Sequence, residues 1–285
     1  MLDLLLASLA DGLLIGFVYG LAAMGMTLIW GVMRVINLGH GAVMALGMFG
    51  VFLISTGLGL NPYLALPLVG LAGLLFGLLM YGGAIHRILG GPYLSTLLAT
   101  FAVNMMLIGV GTAVFTTTPR NVDISLGQLQ LGPVTILGTR IVAALISVAT
   151  AFGLYAFLYR TAPGKAIRAV ANNRAAAELM GISSAATLAL SFGIGTMLAA
   201  GAGGLIATFF PFTILAGESY QLKSFVIGVL GGLGNPTGAL LGGLVLGVLE
   251  GLIAVFLPPT WVPVFEFGLF VVILLVRPSG LLGER

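Results

Sequence analysis

Only 8 of the 285 residues are Asp or Glu, 2 are His and none is Cys, so the inventory for chemistry is short. The acids are scattered singly, which leaves no close pair of carboxylates for acid–base work, and no nucleophile elbow is present. His40 and His86 stand 46 positions apart with no second ligand type at helix-face spacing to either, so no metal site is expected. Gly164-Lys165 is followed by Ala166 and belongs to no phosphate-cradling loop, so the chain is not expected to hydrolyse nucleotide. Gly232-Leu-Gly-Asn-Pro-Thr237 looks superficially like a dinucleotide loop, but its last position is not Gly or Ala and it follows no strand. What remains is a few polar groups inside apolar runs: Glu250, Glu266, and Asn104 with Thr100 and Thr96 one and two helical turns before it. Glu250 reads as a helix-interface carboxyl satisfied by polar neighbours, or as part of a path or subunit contact. The Asn104 stripe reads equally as a path lining or as interhelical hydrogen bonding.

The elements that must position these groups follow from composition. Hydrophobic residues make up 59% of the chain and charged ones 7%, where a soluble domain carries roughly 25% charged residues. With 44 Gly and a mean hydropathy of +1.19, this excludes a disordered chain, a nucleic-acid-binding domain and an ordinary soluble enzyme. The formal charge of +3 rests on so few groups that only their positions are informative. Uncharged stretches are long: 52 residues separate Arg34 from Arg87, and 39 separate Glu178 from Glu218. A bilayer core needs about 20 helical residues and solvates no unpaired backbone group, so the chain is read as an all-α polytopic bundle forming one unit, 1–285. Turn residues divide it into spans at about 12–33, 41–57, 63–84, 94–115, 141–159, 186–210, 239–257 and 262–276. Residues 223–234 are too short to cross unaided, giving about 8 to 9 spans in all, some short or broken. The segment before Gly12 is expected to lie at the interface as a helix, because Asp3 and Asp11 argue against a signal peptide. The polar stretch 116–139 reads as an aqueous loop, with Glu218 in the extracellular region before Lys223.

The loop 160–184 holds Arg160, Lys165, Arg168 and Arg174 against one acid, Glu178, which places it in the cytoplasm. Counting outward puts the Arg34 and Arg87 turns inside, and the 116–139 loop and the N-terminus outside. If 223–234 crosses, Arg277 and Arg285 end inside; if it dips and returns, they end outside, and the charge rule favours crossing. Within the loop, Pro163-Gly164 precedes an Ala-rich run, Gly181 follows it, and Arg174 can pair with Glu178 at i,i+4, so one or two short helices are expected. Ile167, Val170, Leu179 and Met180 alternate there with basic residues, which suits a groove in a soluble partner or a membrane surface. Gly recurs at spacing four in Gly16/Gly20, Gly73/Gly77, Gly228/Gly232, Gly234/Gly238/Gly242 and Gly243/Gly247/Gly251, which lets helix backbones approach closely. Their density from Gly228 to Gly251 suits a tight interface or a close-packed moving gate.

Four runs, in order, resemble one family. Gly16-Phe-Val-Tyr-Gly-Leu21 with Gly31-Val-Met-Arg-Val-Ile-Asn-Leu-Gly-His-Gly41 is similar to the opening of the LivH-type permeases of branched-chain amino acid ABC importers. The 164–182 loop resembles that family's coupling loop, Ser224–Ala239 its glycine-rich late segment, and Arg277-Pro-Ser-Gly-Leu-Leu-Gly283 its C-terminal signature. The resemblance covers nearly the whole chain. It departs at Gly39, commonly Ala, at Trp30, commonly Tyr, and at Pro236, displaced by one position. The resemblance implies an inner-membrane permease subunit, not an enzyme, forming half of a pore for Leu, Ile, Val or a related small polar solute. It further implies a second LivM-like permease, two cytoplasmic ABC ATPases that use ATP and Mg, and a periplasmic solute-binding protein. The chain itself would hold no cofactor or metal and would touch membrane lipid but no nucleic acid. Gly164, Lys165, Arg168, Asn172, Arg174, Glu178, Gly181 and Ile182 would form the ATPase-coupling loop. Arg34, Asn37, His40, Thr100, Asn104, Gly232, Gly234, Asn235 and Glu250 are the pathway and gate candidates. The alternatives are an ion-coupled secondary transporter, which should work alone in vesicles and fail when Glu250 is neutralised, and a channel-like facilitator, which should pass solute without an energy source.

Overall fold

The computed structural model describes residues 1–132 and 134–283. The chain runs through α1 (Leu2–Met33), α2 (His40–Leu58), α3 (Pro62–Met80) with a π turn (Tyr81–Ile85) leading into α4 (His86–Ile88), and α5 (Tyr93–Phe115). A hairpin of β1 (Gln128–Leu131) and β2 (Val134–Leu137) precedes α6 (Gly138–Arg160), α7 (Ala162–Asn172) and α8 (Arg174–Leu179). The remainder is α9 (Ser184–Ile206), α10 (Ala216–Gly231), α11 (Pro236–Phe256) and α12 (Val262–Val276). Among the described residues, 8 helices are long and apolar enough to cross a membrane, so this is a multi-pass membrane protein. The short segment is α10, with 16 residues.

Five helices start where the sequence supplies a polar cap for otherwise orphaned N–H groups. Asn61 accepts from the Tyr63 N–H, Thr161 from Gly164, Asn173 from Ala176, Ser183 from Ala186 and Asn235 from Gly238. Pro62 and Pro236 follow their caps directly, where a missing N–H costs nothing.

α1 is the central post, and the glycines explain how closely its neighbours stand. A Cβ on Gly12 would strike the carbonyl of Gly247, and one on Gly16 would lie 2.8 Å from the Gly243 oxygen. The α1–α11 seam is therefore backbone against backbone, with Gly251 meeting Ser8 at its far end. On another side α9 is clasped by α2 and α3, through Gly47 against Ala200, Gly203 against Met44 and Gly73 against Thr196 and Ala200. Phe49, fully buried on α2, stacks on Phe115 at 4.3 Å and meets Phe212 edge-on at 5.1 Å, closing the core near one end.

That end is marked by Asp11, paired with Arg140 at 2.5 Å. The other is marked by Arg34, which caps α1 in the left-handed region at φ 52°. Several sequence expectations change here. The start of the chain is not a separate interfacial helix: α1 is continuous from Leu2, because Asp11 finds its cation on α6 and needs no break to reach water. The 116–139 stretch is not all loop, since it folds back as the hairpin, and α6 begins at Gly138 with Thr139 buried. α9 ends at Ile206, earlier than expected. Arg277 lies at the Arg34 end, because α10 runs toward that end; Arg285 lies outside the described residues.

Candidate functional site

Two helices begin inside the bundle. After α1 the chain turns at Arg34 and climbs back, so that His40, the first residue of α2, donates from Nε2 to the Ala22 carbonyl at 3.0 Å. A carbonyl only accepts, which fixes the ring proton on Nε2. At 1.5 Å per residue, Ala22 lies about 16 Å from the level of Asp11 and about 18 Å from that of Arg34, near the middle of the slab. From the other side, residues 207–215 descend and α10 starts at the same depth, where a Cβ on Gly217 would strike the Gly41 carbonyl and one on Gly41 the Gly217 carbonyl. Gln221 stitches the crossing: its Oε1 accepts from the Gly41 N–H at 2.7 Å, and its Nε2 donates to the Asn37 carbonyl at 3.3 Å.

Asn37 and His40 are fully buried at this junction. Asn37 Oδ1 accepts from the Gly39 N–H at 3.0 Å, while Asn37 Nδ2 and His40 Nδ1 have no hydrogen-bond partner among the described residues. Thr100 on α5 donates to the Ile36 carbonyl at 3.1 Å, so it pins the broken segment from outside. Asn104 is half-buried one turn further along α5. The structure thus brings Asn37, His40 and Thr100 together, with Gln221, which sequence reasoning missed. Arg34 stands apart, exposed at the end of α1.

The far end of α10 is a second backbone junction. Gly232 and Gly234 adopt φ 104° and 91°, conformations that suit glycine. A Cβ on Gly31 would lie 2.8 Å from Gly234 Cα, and one on Gly231 would strike Gly238. The C-terminal tail satisfies carbonyls that the helix end leaves free: Leu281 donates to Leu230 at 2.8 Å and Leu282 to Gly231 at 3.1 Å, while Asn235 Nδ2 donates to the Leu282 carbonyl at 3.0 Å. Beside this junction opens a groove of about 1180 Å³, lined in part by Trp30, Arg34, Tyr155, Arg168, Phe225 and Asn235.

Glu250 lies away from these junctions. Lys223 on α10 reaches it at 2.8 Å and Glu266 on α12 at 3.1 Å, and lies 4.8 Å from the centre of the Tyr19 ring. The cluster ties α10 to α11, α12 and α1. Glu266, 8% exposed by side chain, is the most enclosed of the three. Sequence alone listed the three charges, but Lys223 and Glu250 share no helix, so no spacing rule links them.

The basic loop forms α7 and α8. α7 buries Gly164, Ile167 and Val170 against the bundle, and a Cβ on Gly164 would strike the Phe157 carbonyl. Arg168 turns back: its Nε donates to the Leu158 carbonyl at 3.0 Å and its guanidinium lies 4.1 Å from the Tyr159 ring centre. Lys165, Asn172 and Gly181 are exposed and Ile182 is half-buried. Arg174 and Glu178 pair at 3.1 Å on the exposed side of α8. Next to them Leu179 and Met180 project almost fully, at 89% and 82% exposure. Among the described residues, no group of three His, Cys, Asp or Glu could hold a metal ion.

Residues 8–274 match the family described as branched-chain amino acid transport system / permease component. The high-affinity branched-chain amino acid transport system permease protein BraD of Pseudomonas aeruginosa is 32% identical over 98% of this chain and 96% of its own. The corresponding permease protein LivH of Escherichia coli K12 is 31% identical over the same shares. The autoinducer 2 import system permease protein LsrC of Shigella flexneri is 28% identical over 90% of this chain and 74% of its own.

Proposed function

The chain belongs to the branched-chain amino acid transport permease family, and from that premise we propose that it forms half of the translocation pore of an ATP-driven importer for leucine, isoleucine and valine. The observation that carries the coupling half of this reading is the α7–α8 knob. It is seated on the bundle by Ile167 and Val170 and presents Leu179 and Met180 outward, in a chain without a phosphate loop. Two exposed apolar side chains flanked by an Arg–Glu pair suit a groove in a soluble partner. That partner is a pair of ATPases, which bind ATP and Mg. A second, LivM-like permease completes the pore and a periplasmic binding protein delivers solute. The setting is the bacterial inner membrane, with the α7–α8 end and the C-terminus in the cytoplasm and the N-terminus outside. The two helices that start mid-slab, α2 and α10, suit a path whose wall has backbone breaks where solute passes.

The test is affinity purification from the native membrane in mild detergent, followed by uptake in vesicles. Two ATPases and a second permease should accompany the chain, and leucine should enter only with ATP and binding protein. Recovery of the folded chain alone, working without ATP, would overturn the reading. Such a result would favour an ion-coupled transporter, for which the Lys223–Glu250–Glu266 cluster would be the relay and Glu250→Gln the decisive variant. If Arg174→Glu and Glu178→Lys each leave assembly and transport intact, the docking assignment for α8 is wrong.

A further inference from the structure

α10 carries a charge that no side chain among the described residues pairs with. Sequence position suggested that Glu218 lies in an extracellular region, yet it sits in the first turn of α10, next to the Gly217–Gly41 crossing. Tyr220, two residues on, lies 6.1 Å from Tyr19 of α1, ring centre to ring centre. A Cβ on Gly228 would meet Thr27 further along, so α10 runs parallel to α1 and residues 217–220 lie beside about residues 16–19 of α1, roughly 8–12 Å deeper than Asp11. At this depth Glu218 is exposed, and among the described residues it makes no ion pair or side-chain hydrogen bond. The acids within the bundle differ in this respect: Asp11 has Arg140, and Glu250 and Glu266 have Lys223. A carboxylate turned to lipid inside the slab is disfavoured. The face it shares with Leu215, Ser219 and Leu222, all exposed, must therefore meet protein or water in the assembled protein.

We infer that Glu218 lines the translocation path on the α10 face turned toward the second permease, and that its carboxylate receives the ammonium group of the passing amino acid. This rests on the two-permease importer proposed above. One feature favours the ammonium over a fixed cation. The proposed solutes all carry an α-ammonium, and a charge-assisted hydrogen bond to it is among the stronger polar contacts available.

The absence of Cys from the chain makes the test direct. In the complete importer in vesicles, with cysteine-free partners, Glu218→Cys should react with a small water-soluble cationic thiosulfonate added from outside. Leu222→Cys, with Glu218 intact, should react faster with the cationic reagent than with an anionic one of similar size. Adding Glu218→Gln should reduce that preference at least threefold. Leucine carried per ATP hydrolysed should fall about tenfold in Glu218→Gln, the order expected for one charge-assisted contact, and Glu218→Asp should recover most of it. Unreactive thiols at both 218 and 222 in an importer that still transports would overturn the inference. So would loss of the second permease from purified Glu218→Gln, which would assign Glu218 to a fixed ion pair across the seam. Absence of ATP-driven uptake by the unmodified complex would instead overturn the importer reading.

Discussion

Replacing Lys223 with Met keeps the length and apolar stem of the side chain but removes the one cation between two carboxylates. Lys223 is 13% exposed by side chain, Glu250 29% and Glu266 8%. Breaking a buried pair by deleting one partner costs about 3–5 kcal/mol, because the other charge stays behind. Glu250 is open enough that losing its share resembles the loss of a surface pair, about 0–1 kcal/mol. Most of the cost therefore sits on Glu266, and Lys223→Met should destabilise the fold by about 3 kcal/mol, roughly a hundredfold in the folding equilibrium. Replacing a whole buried ion cluster by uncharged groups is often neutral, so Lys223→Met with Glu250→Gln and Glu266→Gln should regain most of the loss. The assay is the temperature at which half of the detergent-solubilised protein remains monodisperse by size exclusion, compared across the parent and the two variants. If Lys223→Met survives heating as well as the parent, or if the triple variant is no better than the single one, the cluster does not hold α10 in place.

The glycine crossings give a set with internal controls. Gly41→Ala and Gly217→Ala force a methyl into a facing carbonyl, and should each cost about 1–3 kcal/mol and abolish ATP-driven uptake. Gly109→Ala and Gly153→Ala, with open space around the added atom, should be neutral or slightly stabilising by the same heating assay. Leu179→Ser with Met180→Ser should leave yield and thermal stability unchanged, since both side chains are exposed. The same pair should strip the ATPases from the purified complex. Gly280 holds φ 79° and a Cβ there would lie 2.5 Å from the Val229 carbonyl oxygen, so Gly280→Val should free the tail from the end of α10 and depress uptake per ATP while leaving helix content by circular dichroism intact.

The sequence made the spans legible because long uncharged runs leave helix as the only way to pair every backbone group. α12 follows the expected bounds, and α2, α5 and α11 differ by a few residues. Glu250, Glu266, Thr100 and Asn104 are legible inside the spans, but the sequence places Asp11 and Glu218 in water. Asp11 looked like a helix break because its partner, Arg140, is distant in sequence. Glu218 and Gln221 looked like loop, so α10 was read as starting at Lys223 although it starts at Ala216. The 164–182 loop was identified by its Ala-rich run and flanking Gly residues. How its basic residues are used was not legible: Arg168 folds onto Leu158 and Tyr159, while Lys165 and the Arg174–Glu178 pair stand exposed beside Leu179 and Met180. Asn37 and His40 were chosen with their motif, but the residue that joins them to α10 is Gln221, which belongs to none of the motif runs.

The two kinds of glycine contact assign different mechanical parts to α10 and α11. Along the α1–α11 seam, Gly12, Gly16, Gly243, Gly247 and Gly251 set backbone against backbone over several turns. Sliding one helix past the other would drive carbonyls into Cα atoms repeatedly, so the pair must move as one body. The last turns of α10 are also packed on α11, Gly231 against Gly238 and Gly242 against Ile227, but the rest of α10 is held by polar contacts: Gln221 to the start of α2, Lys223 to α11 and α12, and the tail at Leu281–Leu282 to its last carbonyls. Each is a polar latch that is either made or broken, which is what a two-state element requires. α7 rests on α6 by Gly164 against Phe157 and Leu158, at the same end of the bundle where Gly31 touches Gly234. A push on α7 is thus received at the end of the bundle where α1, α10 and α11 meet. On the pore reading proposed above, α10 is the element whose polar latches would break and re-form as access changes.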